Sequence, residues 1–249
     1  MATLRWWGLI RSLVVYYNPK RLRSWRLFYK QVLKPDDIVF DVGAHVGTRA
    51  RAMRRAGAKV VALEPQAPFS SFLKLTLPSD IILIDAAVGG TEQEAEMSVS
   101  SKHPTVSSLR TDFVSDAKTS HGFEHVRWDS KQMVRVLTLD GLIRDHGLPS
   151  YIKIDVEGFE LEVLSGLTQP VQMLSVEYLP GFLHLTHKVL DRIEQLGEYS
   201  FNPVVGENAI FLWKQWRDNQ GVRQWLDSLP KDAPSGDLFC KLTTEKIAD

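Results

Sequence analysis

The chain of 249 residues is 44% hydrophobic and 24% charged, an ordinary globular composition with length for one large domain rather than two full ones. Its 30 Lys+Arg balance 30 Asp+Glu, so the formal net charge is zero. One cysteine, Cys240, excludes an internal disulfide and any multi-cysteine metal site, and fits a reducing compartment such as the cytoplasm.

The zero hides a segregation. Residues 1–35 hold Arg5, Arg11, Lys20, Arg21, Arg23, Arg26, Lys30 and Lys34 and no acid, which leaves the remainder net −8. A basic start of this kind points to an anionic partner or membrane surface. Its longest apolar stretch, 6–17, is broken by Arg11 and falls short of the ~18–20 residues that a spanning helix needs. No small-x-small cleavage site follows it. Two short helices are predicted here. The first follows Leu4, Trp7, Ile10, Val14 and Tyr17. The second follows Asn18 as N-cap and Pro19 as first helical residue, with Leu22, Trp25, Tyr29, Val32 and Leu33 as its apolar face.

From Lys34 onward strands alternate with helices. Strands are predicted at 38–42, 59–63, 81–84, 151–154 and 171–178, with helices at 48–56, 69–77, 139–146, 160–167 and 185–196. That alternation implies a parallel sheet covered on both faces. Residues 94–100 and 134–137 read as further strands, and 101–131 as a long polar loop shaping the acceptor site. A closing hairpin is expected from 199–204 and 209–213 around Val205-Gly206-Glu207-Asn208. The chain thus divides into a basic helical segment 1–34, a main domain 35–214 and an irregular tail 215–249 with one short helix.

In an open parallel sheet, ligands bind beyond the carboxyl ends of the strands. Acids end all five main strands: Asp41, Glu64, Asp85, Asp155 and Glu177. The first turn, Asp41-Val42-Gly43-Ala44-His45-Val46-Gly47, lacks the spacing of a pyrophosphate-binding glycine loop, and no P-loop is present. Glu64, at the second strand end, suits the hydroxyls of a ribose. The pattern describes a site for a nucleoside without a diphosphate. The arginines 49, 51, 54 and 55 crowd one helix and read as a solvated face.

The strings DIVFDVGAHVG, VVALEP, DAAVG, VLTLDGLI, YIKIDVEGFELEVLSGL and LSVEY, in this order over roughly 34–213, closely resemble the FkbM family of S-adenosylmethionine-dependent methyltransferases. The resemblance implies an α/β, Rossmann-like class I methyltransferase fold: seven mostly parallel strands, the last antiparallel, with helices on both faces. It implies S-adenosylmethionine as cofactor. Asp41, Gly43 and Gly47 match the motif for its methionine part, with His45 standing in that loop where the family often has Asn. Glu64 matches the ribose acid, and Asp85 and Ala86 the adenine segment. The implied activity is O-methylation of a hydroxyl on a sugar, glycan or other secondary metabolite.

Such transfer needs acceptor oxygen, methyl and sulfur in line, an alignment worth about 7–11 kcal/mol in favourable cases. It also needs a proton acceptor, worth about 10²–10⁴-fold. Asp155 is the first choice for that base, with Lys153 on the same strand face keeping it ionised and Glu157 in the following turn. Lys153 and Asp155 also suit a plain buried ion pair. A divalent metal such as Mg²⁺ is not expected; if one bound, Asp155 and Glu177 would supply its oxygens.

The alternative reading is a peripheral-membrane binding protein with a degenerate methyltransferase core. Its basic aromatic segment 1–34 would then lie on an anionic membrane, on the inner face. The acidic remainder argues against a nucleic-acid partner.

Overall fold

The computed structural model describes residues 9–14, 18–100 and 128–243. Most of the loop 101–131, with its three histidines, and most of the first predicted helix lie outside these residues.

Residues 9–14 are helical. The next helix is α1 (Pro19–Val32), where Asn18 Oδ1 accepts the Lys20 N–H at 2.9 Å and Pro19 takes the first turn, as its sequence predicts. There follow β1 (Ile38–Val42), α2 (Thr48–Ala56), β2 (Lys59–Leu63), α3 (Phe69–Thr76), β3 (Ile82–Ile84), β4 (Ala87–Val88), β5 (Gln93–Val99) and β6 (Ser130–Leu137). The second half holds α4 (Leu139–His146), β7 (Tyr151–Ile154), α5 (Glu160–Ser165), β8 (Met173–Tyr178), α6 (Leu183–Leu196), β9 (Tyr199–Val205), α7 (Asn219–Asp227) and β10 (Gly236–Leu242).

Seven strands make one sheet in the order β3-β2-β1-β7-β8-β10-β9. All are parallel except β10, which runs antiparallel to both β8 and β9. This is the class I methyltransferase topology that the resemblance implies. The central strands are apolar on both faces because helices cover both. Val39, Tyr151 and Phe239 meet α1, α2 and α3 through Trp25, Phe28, Tyr29, Met53 and Leu73. Phe40, Ile152, Ile154 and Val176 meet α4 to α7 through Leu142, Val163, Leu190 and Leu226. A second sheet, β4-β6-β5, stands beside the first.

Three expectations are corrected. Residues 209–213 form no strand. The slot beside β9 belongs to β10, which carries Leu238, Phe239 and Cys240 into the core, all fully buried. The 209–213 segment is held instead by the Asn202 side chain, which accepts the Trp213 N–H at 3.0 Å and donates to the Trp213 carbonyl at 2.9 Å. The stretch 215–249, expected to be irregular apart from one helix, therefore contains a central strand of the sheet as well as α7. Helix α2 is a solvated face only in part, at Arg55, which is exposed, and at Arg54 near the surface. Arg51 is buried and Arg49 nearly so, while Arg54 pairs with Asp80 at 2.6 Å.

The basic segment caps the sheet. Trp25 and Tyr29 have no exposure at all, whereas Arg23, Arg26 and Lys30 face outward. No helix among the described residues is long and apolar enough to cross a membrane.

Candidate active site

A cavity of about 460 Å³ opens beyond the carboxyl ends of β1, β2, β7 and β8. It lies where the strand order reverses between β1 and β7, the switch point at which an open parallel sheet leaves a crevice.

Its first wall is the turn after β1. Gly43 has φ +81°, and a β-carbon there would stand 2.0 Å from the carbonyl oxygen of Asp155, so only glycine fits. The N–H groups of Gly43 and Ala44 donate to the Leu63 carbonyl at 3.1 and 2.9 Å, tying the turn to the end of β2. One residue on, the His45 N–H donates to Glu64 Oε2 at 2.7 Å, and the Gln66 N–H donates to Oε1 at 2.9 Å. Burial raises the Glu64 carboxyl to about 7, against the pull of these two amides. Each oxygen keeps a lone pair for a ligand hydroxyl. The Gln132 amide braces the same corner, donating to the Pro65 carbonyl at 2.7 Å and accepting the Ala67 N–H at 3.2 Å.

The His45 ring does not point to open solvent. Its Nε2 lies 3.1 Å from the Ser12 hydroxyl and its ring centroid 4.5 Å from that of Phe69. Burial pushes the imidazole down to about 4, so it is neutral at neutral pH.

Below the cavity sits a charge network set by strand register. Asp41 on β1 pairs with Lys153 on β7, and the period-2 pleat turns both toward the α1/α2 face. Lys153 Nζ lies 3.7 Å from Asp41 Oδ1 and 3.0 Å from Asp155 Oδ2. Burial opposes the Lys153 charge, but Asp155 and Asp41 outweigh it and hold the amine protonated. Arg49 does the same at the other rim. It bonds Asp237 at 2.9 Å and Glu207 at 3.4 Å, and stacks on the Trp25 ring. Trp25 Nε1 donates to Glu207 at 2.9 Å, so α1 is fastened to the turn after β9.

The remaining wall is acidic. Asp155, Glu157 and Glu177 bring carboxylate oxygens within 4.8 Å of one another, a set of hard oxygen donors that could hold a divalent cation. Burial opposes ionisation of Asp155, but Lys153 overcomes it and holds the carboxyl below its usual range. Burial, then repulsion from Asp155, raises Glu157 well above the ordinary value, and burial with repulsion from Glu157 does the same to Glu177. One site thus holds a permanent carboxylate beside two that bind protons readily.

Of the residues singled out by sequence, Gly43, His45, Glu64, Ala86, Lys153, Asp155, Glu157 and Glu177 line this cavity. Asp41, Gly47 and Asp85 are not among its lining residues. Asp41 is fully buried beneath it, Gly47 packs against Leu73 and Arg51, and Asp85 pairs with Lys74 at 2.5 Å. Sequence reasoning missed Arg21, Arg49, Glu207 and Asp237, which all line the cavity. Only the apolar face of α1, with Leu22, Trp25, Tyr29 and Val32, hinted that this helix packs inward.

Residues 41–229 match the model of the Methyltransferase FkbM domain. A curated relative, the hexuronic acid methyltransferase AglP of Haloferax volcanii, is 30% identical over 142 residues, which are 56% of this chain and 54% of the relative. The chain thus spans about half the length of that relative. Among solved structures, a TehB-like SAM-dependent methyltransferase from Corynebacterium glutamicum aligns with a TM-score of 0.47 and 9% identity over 94% of both chains. Precorrin-6y C5,15-methyltransferase from Geobacter metallireducens aligns with a TM-score of 0.44 and 12% identity over 90% of this chain and 87% of that one.

Proposed function

The chain belongs to the methyltransferase FkbM family, whose cofactor is S-adenosylmethionine, and on that premise we propose that it methylates an oxygen of a sugar-containing acceptor. The observation that carries this reading is the cavity itself: a nucleoside cradle at Gly43 and Glu64 continuous with the carboxylates Asp155, Glu157 and Glu177. The sugar follows from the hexuronic acid methyltransferase that the chain resembles.

The residues fit the cofactor. Gly43 removes the side chain that would fill the cradle, and Glu64 presents lone pairs for ribose hydroxyls at the second strand end. The acidic lining suits a ligand with positive charge. When bound, S-adenosylmethionine supplies a methyl group already activated on a sulfonium, with a neutral leaving group. Asp155, kept ionised by Lys153, provides a fixed negative charge in that region. Its lowered pKa makes it a weak base. The raised pKa values of Glu157 and Glu177 make their carboxylates the better acceptors for the hydroxyl proton. Proton acceptance at a Glu177 oxygen would leave Asp155 as an electrostatic partner, a division of labour unlike the sequence-based choice of Asp155 as base.

The test uses S-adenosylmethionine carrying a ¹³C methyl. Incubation with a panel of hexuronate-terminated and neutral oligosaccharides should give a product methyl resonance at the shift of an O-methyl group. An N-methyl or C-methyl product, or calorimetry showing no S-adenosylhomocysteine binding by folded protein, would sink the reading.

A further inference from the structure

Helix α1 lies wholly before residue 41, where the family match begins. It nevertheless forms part of the cavity wall, through Arg21. Lys20, Arg23, Arg26 and Lys30 on the same helix are exposed; Arg21 alone among them is half-buried and lines the cavity. Trp25, one helical turn later, is fully buried, donates to Glu207 at 2.9 Å and carries the Arg49 guanidinium on its ring. Glu207 lines the cavity as well. The α1 backbone is thereby fixed against the rim, and with it the α-carbon of Arg21.

Charge makes the position informative. The cavity is lined by the acids Glu64, Asp155, Glu157, Glu177, Glu207 and Asp237. An anionic group entering such a space is repelled unless it settles beside a cation. Lys153 is shared between Asp41 and Asp155, and Arg49 between Asp237 and Glu207. A guanidinium has five N–H donors in a planar fork that matches a carboxylate with two parallel bonds, so a contact within the protein still leaves donors for a ligand.

We infer that Arg21 is a carboxylate-recognition residue of this cavity, supplied by a helix outside the family-matched span. The inference rests on the methyltransferase reading above. The carboxylate has two sources in that chemistry: the amino-acid end of the cofactor, or the acid group of a hexuronate acceptor. Both present the same ligand chemistry to the guanidinium.

The experiment compares the wild type with Arg21→Gln, Arg21→Lys and, as an exposed control on the same helix, Arg23→Gln. Calorimetry measures S-adenosylhomocysteine and 5′-methylthioadenosine, which keeps the nucleoside and lacks the amino acid. NMR titration then measures D-glucuronate and D-glucose with S-adenosylhomocysteine present. If the cofactor is the source, Arg21→Gln weakens S-adenosylhomocysteine about tenfold or more and leaves methylthioadenosine unchanged. If the acceptor is the source, S-adenosylhomocysteine is unchanged and glucuronate is weakened about tenfold, with glucose unaffected. Arg21→Lys keeps charge without the fork and should fall between, even if Arg21→Gln folds poorly. Arg23→Gln should match the wild type. The inference is overturned if neither Arg21 variant changes either affinity by more than about twofold, including the case in which the wild type binds no glucuronate. Failure of the wild type to bind S-adenosylhomocysteine would instead strike the methyltransferase reading itself.

Discussion

The α-carbon of Gly43 approaches the carbonyl oxygen of Asp155 so closely that a β-carbon would lie 2.0 Å away. The end of β1 and the end of β7 are thus in backbone contact at the floor of the cavity. Gly43→Ala meets this oxygen and a φ of +81° at once. Overpacking and left-handed strain each cost about 1–3 kcal/mol. A destabilisation of about 2–5 kcal/mol is expected, with loss of S-adenosylhomocysteine binding, read from urea unfolding and calorimetry. Wild-type stability in this variant would mean that the two strand ends are not in contact.

Glu64 gives a pH dependence with a definite sign. Its carboxyl protonates at 4.5 in its ordinary state and at about 7 in the fold, because it is buried. Between these values the folded chain holds a proton that the unfolded chain lacks. The group therefore favours the fold most below about 4.5, and that contribution is lost as the pH rises through about 7. Ligand hydroxyls need the ionised form as acceptor. S-adenosylhomocysteine affinity should rise up to about tenfold per pH unit approaching pH 7, then level off. Glu64→Gln should flatten this profile and lower the affinity at pH 8. A profile unchanged in the variant would remove Glu64 as its source.

Lys153 stands between two acids, one of which, Asp41, has no exposure. Lys153→Met leaves Asp41 as a buried charge without a partner. Removing one member of a buried pair costs about 3–5 kcal/mol. Adding Asp41→Asn should recover part of the loss, since it removes the orphaned charge. Thermal unfolding of the two single variants and the double variant forms the cycle; strict additivity would show that the pair does not interact.

Asp155→Asn and Glu177→Gln separate charge from proton transfer. Both should keep S-adenosylhomocysteine binding. Turnover in Glu177→Gln should fall about 10²–10⁴-fold, the range for loss of a positioned base. The rise of kcat with pH, set by the raised carboxyl, should vanish with it. Asp155→Asn should lower kcat while keeping the shape of the profile. The reverse pattern would return the role of base to Asp155.

Trp25, Phe28 and Tyr29 pack against Tyr151, Phe211 and Phe239. Trp25→Ala should cost about 3–5 kcal/mol, as large core truncations do. It should also reduce S-adenosylhomocysteine affinity by releasing Arg49 and Glu207 from the rim. A variant with full stability would mean that the basic segment does not cap the sheet in solution.

Much of this was legible in the linear chain. Alternating strands and helices, Asn18-Pro19 before α1 and the glycine turn after β1 are local signals, written in neighbouring residues. Acids at strand ends marked the site because parallel strands deliver their carboxyl ends to one edge. Strand β10 was not legible: a central strand buried on both faces shows no alternation, and Gly236–Leu242 lies far along the chain from its partners. Arg49 read as one of four arginines on a solvated helix until packing placed Trp25, Asp237 and Glu207 around it.

The sequence by itself determined the family, the strand ends and most of the acids that gather there, because each depends on local spacing and chain order. Tertiary structure alone decided which acids are paired, protonated or turned away. Asp41 sinks under the cavity, Asp85 turns out to Lys74, and Asp155 is claimed by Lys153. It also decided the use of the cations among the described residues at the start of the chain. A net charge of zero is a sum over positions, whereas charges interact over distance; folding brings Arg21 onto an acidic cavity and leaves Arg23, Arg26 and Lys30 in water.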